Sequence, residues 1–177
     1  MKVAVEAMTG KPGHSTPSHP AAPLSVEIIT RSELWAGGAF DDALSRAADA
    51  AYANAGNDRA REVTLVLSCD EEIRGLNRKW ADKDRATDVL SFPAGTEDSA
   101  LGDIILAYET VARDAAETGV EMPAHASHLV IHGMLHLLGY DHYADASAAE
   151  MEALETEILA GLGLHDPYPE SQHGLEQ

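Results

Sequence analysis

The segment His132 to His142, HGMLHLLGYDH, restricts what this chain can become more than any other feature. His132 and His136 stand four residues apart in a run rich in Leu, Ile, Val and Met, which puts both imidazoles on one face of a helix. Two rings at that spacing grip one ion. His142 joins them only if the helix stops, because ten helical residues span about 15 Å whereas the nitrogens bound to a zinc ion lie about 2.0–2.1 Å from it. Gly139 sits where the chain must turn, since glycine after a helix takes the left-handed conformation at no Cβ cost, so the helix should end at Leu138 or Gly139. Three neutral imidazoles without a fourth protein ligand leave one tetrahedral position open for water, the pattern of a catalytic zinc, Zn2+, rather than a structural one.

The neighbours of this trio carry weaker signals. Asp141 precedes the last ligand, where its carboxylate would either orient an imidazole or take a proton, or else serve as a turn cap. Tyr140 is expected to pack against the core. His125 and His128, earlier on the same helix, are read as packing or as supporting the ligands from behind. His14, His19 and His173 fall among prolines and polar residues that preorganise no metal site.

Along the chain, residues 1–23 read as a flexible arm rich in Pro, Gly, Ser and Thr, residues 24–165 as one domain, and residues 166–177 as a loose tail. Within the domain, Leu24 to Thr30, Val63 to Ser68, Asp88 to Phe92 and Gly102 to Ala107 read as strands. Asp41 to Asn54, closed by Gly56, Cys69 to Trp80 with Asp70 as its N-cap, Tyr108 to Thr118, Ala124 to Leu138 and Asp145 to Leu162 read as helices. Strands early and helices late predict an α+β fold, a small mixed sheet covered by helices with the three-histidine site at the end of a central helix.

Composition sets outer limits. A lone cysteine, Cys69, forms no internal disulfide and is expected as a small buried thiol after an apolar run. No apolar run nears the roughly 20 residues of a bilayer span, and no secretory leader is visible, so a soluble cytoplasmic protein is expected. The formal net charge of -18 argues against broad adhesion to nucleic acid, DNA included. Arg74, Arg78, Lys79, Lys83 and Arg85 nevertheless crowd one short stretch, either as a local positive face or as a solvated helix flank.

A histidine register of zero, four and ten with glycine at seven is also that of the metzincin peptidases, but those carry a glutamate directly after the first histidine as general base. Gly133 occupies that position, which makes peptide hydrolysis a poor fit, whereas phosphodiester cleavage depends less on such a carboxylate. The segment HGMLHLLGYDH resembles the signature of the YbeY family of bacterial endoribonucleases. In order along the chain, Leu76-Asn77, Thr87 to Pro93 (TDVLSFP), Leu101 to Ile104 (LGDI), Met151 and Glu155 match as well, so that the resemblance runs from about Val63 to Gly163.

The resemblance implies an α+β fold, a zinc ion held by His132, His136 and His142 in a cleft, and cleavage of single-stranded RNA in ribosomal RNA maturation and ribosome quality control, with small-subunit ribosomal proteins as possible partners. Asp88 and Ser91 would line the cleft or serve turn and sheet packing. One departure stands out: the family's usual arginine in the loop after the Leu-Asn helix is Ala81 here, and its glycine and proline are Asp82 and Ala86. Alanine cannot clamp a phosphate, so Arg85, Arg78 or Lys83 would have to act instead, and Arg85 and Asp141 are the candidate catalytic residues. Two other readings stay open: a zinc-binding ribosome assembly factor without catalysis, suggested by Ala81, and a metallopeptidase.

Overall fold

A strand whose successive residues are apolar has to be covered on both faces, and the run Leu65-Val66-Leu67 is of that kind. In the computed structural model, which describes residues 23–37, 40–55, 61–81, 84–95 and 100–167, this run belongs to β2 (Glu62–Ser68). It lies between β1 (Ser25–Thr30) and β4 (Ala100–Ala107), parallel to both, while β3 (Val89–Pro93) pairs antiparallel with β4 at the edge. The order β1-β2-β4-β3 is the small mixed sheet that the sequence predicts. Pro93 ends β3, an edge strand, where a missing N–H is tolerated.

Among the described residues five α-helices cover the sheet: α1 (Asp41–Ala55), α2 (Asp70–Ala81), α3 (Tyr108–Thr118), α4 (Met122–Leu137) and α5 (Asp145–Gly161). Alternation along the strands divides the interior. Leu65, Leu67, Ile104 and Leu106 point to the face packed by α1 and α4, while Val66, Ile105 and Leu90 meet Ile73 of α2 on the other. From Ala126 to His136 every residue of α4 is buried, so this helix is the central one, with α1, α3, α5 and the sheet around it. Met151 of α5 is core filler, 1% exposed.

The helix starts are built differently from expectation at one point. Asp70 is not the N-cap of α2 but its first residue, and its carboxylate accepts from the backbone N–H and the hydroxyl of Thr110, both at 3.0 Å. Glu109 reciprocates by accepting from the Asp70 N–H at 2.9 Å. Each helix thus satisfies backbone donors of the other, which lets α3 begin directly after β4 without a loop. Cys69, at the strand–helix junction, is only partly buried. Gly56, residues 1–22, residues 168–177 and the three histidines within those ends lie outside the described residues.

Gly102 fixes the register of the edge pair. Its φ is 141°, and a Cβ built on it would lie 2.1 Å from the Phe92 carbonyl oxygen, a backbone atom that cannot step aside. Gly102→Ala is therefore expected to cost roughly 3 kcal/mol or more in urea denaturation, from strained backbone and overpacking together. A cost below about 1 kcal/mol, the level of an ordinary glycine substitution, would show that the β3–β4 contact yields easily.

Candidate metal centre

The α4 helix ends in a complete Schellman turn. Leu138 is the C-cap, Gly139 follows at φ 96°, the Tyr140 N–H donates to the Leu135 carbonyl at 2.9 Å, and the Gly139 N–H donates to the His136 carbonyl at 3.0 Å. The chain then doubles back. The rings of His142 and His136 have centroids 4.9 Å apart, and those of His142 and His132 are 5.7 Å apart. One nitrogen from each of His132, His136 and His142 lies within 4.8 Å of the others. The structure thus brings together the trio that the sequence predicts.

Hydrogen bonds behind the rings settle their tautomers. The Nδ1–H of His136 donates to the Tyr140 carbonyl at 3.0 Å, and the Nδ1–H of His132 donates to Glu155 Oε1 at 2.5 Å. Both rings therefore turn their Nε2 atoms toward each other, 3.0 Å apart. At that distance either a proton or a metal ion must lie between the two nitrogens. Ligands of one tetrahedral ion at zinc-like bond lengths would stand about 3.3 Å apart, so the donor set fits a metal ion of that size. Burial, then the neighbouring His132 and His142, hold the His136 pKa down to about 4, which keeps the ring neutral and ready to ligate near neutral pH.

Glu155 is the residue whose role the sequence does not reveal. Its side chain on α5 is buried and shared by two imidazoles, His132 as above and His128, whose Nε2–H donates to Oε2 at 3.3 Å. Burial opposes its ionisation, but the hydrogen bonds from His128 and His132 prevail and hold its pKa at about 2. His128 thus supports the site from behind, as the sequence suggests. His125, in the first turn of α4, keeps a buried Nε2 with no hydrogen-bond partner among the described residues.

Other candidates fall as follows. Asp141 Oδ1 accepts from the Tyr143 N–H at 3.1 Å and from the Ser147 hydroxyl at 2.8 Å, bonds that lower its pKa and make it a turn cap. Tyr140 packs on the core. Asp88 accepts from the Val89 N–H and lines a shallow cavity of about 360 Å³ together with Arg85 and Arg113. Ser91 is fully buried in β3 and faces Gly133. In the basic stretch, Arg74 and Arg78 both reach Asp84, Lys79 lies over the Trp80 ring, and Arg85 makes no ion pair among the described residues. The Arg85 carbonyl accepts from the Asn77 side chain at 2.8 Å, which anchors its backbone. Lys83 and Asp82 lie outside the described residues, as does the side chain of Ala81.

A family profile described as endoribonuclease YbeY matches residues 31–163. Proteins named endoribonuclease YbeY are similar over most of their length: one from Bradyrhizobium diazoefficiens is 44% identical, covering 86% of this chain and 89% of its own. Another, from Paramagnetospirillum magneticum, is 51% identical over 64% of this chain and 74% of its own. A solution structure of a Thermotoga maritima protein shares the fold with a TM-score of 0.53 at 24% identity, covering 85% of this chain and 99% of that one.

If Glu155 fixes the tautomer of His132, Glu155→Gln should weaken metal affinity about 10- to 100-fold in competition with a chromophoric chelator. Affinity equal to that of the parent chain would mean that His132 is oriented by other contacts.

Proposed function

Because this chain belongs to the YbeY family of endoribonucleases, we propose that it is a zinc-dependent enzyme that cleaves single-stranded RNA, acting in the cytoplasm in ribosomal RNA maturation and ribosome quality control. The observation that carries the reading is the converging histidine trio, with the second nitrogens of His132 and His136 tied to Glu155 and to the Tyr140 carbonyl. Nitrogen-only ligation suits zinc. When bound there, the ion supplies Lewis acidity toward a phosphodiester and makes water acidic enough to ionise near neutral pH.

The chain's own residues supply the rest. Asp141 caps the turn through Oδ1 and stays ionised beside His142; any proton it accepts from the site it holds weakly, because Tyr143 and Ser147 lower its pKa. Arg85 takes the part of the arginine replaced by Ala81. Of the described arginines in that stretch it alone is not drawn onto Asp84, so its guanidinium is available to a phosphate in two charge-assisted hydrogen bonds. The acidic balance of the whole chain, -18, confines RNA to such local contacts and disfavours duplex DNA. No helix among the described residues is long and apolar enough to cross a membrane. Small-subunit ribosomal proteins are the proposed protein partners.

Peptide hydrolysis is disfavoured by geometry as well as by sequence. A Cβ at position 133 would meet Ser91 Oγ at 2.9 Å and two Ile104 carbons at 3.1 Å, so the helix face that carries the peptidase glutamate is pressed here against the sheet. Ala81 favours one second reading, a ribosome assembly factor that holds zinc without chemistry. Metal-dependent association with ribosomal particles in the absence of RNA hydrolysis would select it.

Two measurements test the leading proposal. Single-stranded ribosomal RNA fragments should be cut by the purified chain, and both a chelator and His136→Ala should abolish the cutting; cleavage that survives both treatments would refute a metal-dependent nuclease. Arg85→Ala should lower kcat/KM about 100-fold, as loss of one charge-stabilising donor does, while Arg78→Ala changes little. Equal rates for Arg85→Ala and the parent would assign the phosphate contact elsewhere.

A further inference from the structure

Tyr143 follows the last histidine directly and is 67% exposed, more than any other large hydrophobic side chain among the described residues. We infer that it is a stacking platform for one nucleobase of a single-stranded RNA whose adjoining phosphodiester sits at the histidine trio. The inference rests on the endoribonuclease reading and adds a base-binding subsite to it.

Three observations support the assignment. The Tyr143 ring lies over that of His142, with centroids 5.8 Å apart and planes 26° from parallel, so a base stacked on it is one nucleotide's reach from the metal ligands. The loop that presents it is braced: Asp141 Oδ1 holds both the Tyr143 N–H and the Ser147 hydroxyl, and Ser147 Oγ accepts from the Ala144 N–H at 3.3 Å. An aromatic ring held in place costs little ordering entropy when a ligand arrives. Charge supplies the third. At a net -18 the chain cannot draw RNA in by neutralising many phosphates, and stacking provides affinity that depends neither on cations nor on base identity.

A merely structural role would be to steady His142. The test uses the full zinc-loaded chain and a short single-stranded RNA with one cleavage site, together with the same RNA carrying one abasic nucleotide at each position in turn. Tyr143→Ala should raise KM about tenfold, the worth of one stacked base, with kcat and zinc affinity kept, and Tyr143→Phe should behave as the parent. The penalty of Tyr143→Ala should vanish on the RNA that lacks the base beside the cleaved bond. An unchanged KM, a penalty equal on every abasic RNA, or a loss that follows weakened zinc binding would each overturn the platform. If the parent chain neither binds nor cuts the intact RNA, the endoribonuclease reading itself fails and the platform falls with it.

Discussion

The histidine trio converges because α4 does not continue past Leu138. On an unbroken helix His142 would stand about 9 Å beyond His136 along the axis, out of reach of any shared ion. The left-handed residue Gly139 reverses the chain, and the same turn does a second job through Tyr140. That residue's N–H closes the turn on Leu135, its ring packs on the core, and its carbonyl takes the proton-bearing nitrogen of His136. Helix termination, loop anchoring and ligand tautomer are therefore one structure, and any change that loosens the turn alters the chemistry of a ring one helical turn earlier.

Behind the opposite ring stands a buried carboxylate, which is costly unless it is fully paired. Glu155 meets that condition by bonding to His128 and His132 at once. The arrangement makes α5 part of the centre although it donates no ligand. Because α4 is buried along its inner length, the two imidazoles it carries are seated in the core, whereas His142 comes from the exposed loop that follows.

Much of this was legible in the residues. The β-branched run of β2, the all-round apolar α4 and the histidine spacing with its glycine each state their structure locally, and the mixed sheet follows from their order. Pairings across long sequence separations were not legible. Asp70 looks like a cap for its own helix, and only the packing of α3 beside α2 turns its carboxylate to Thr110. Glu155 did leave a trace: it stands four residues after Met151 and three before Ile158, so a charge interrupts the apolar stripe of α5. Such an interruption calls for a buried partner, but nothing in the sequence says that the partner lies 23 residues back on another helix. The packing roles of Gly102 and Gly133 were hidden for a similar reason, since a missing side chain shows what it makes room for only when the neighbouring backbone or side chain is in place.

Gly133 also explains why the histidine register shared with metzincins does not carry their chemistry. In those enzymes the residue after the first histidine is a glutamate directed at the reacting centre. Here the same helical position faces Ser91 and Ile104, closer than side chains normally approach, because β3 and β4 lie directly beneath α4. A carboxylate side chain at this position would collide with Ser91 and Ile104 instead of reaching the histidine trio. The absence of that base is thus a consequence of how tightly the central helix is seated. A phosphodiester, whose charge can be met by an ion and a guanidinium, is the kind of substrate such a site can still serve without it.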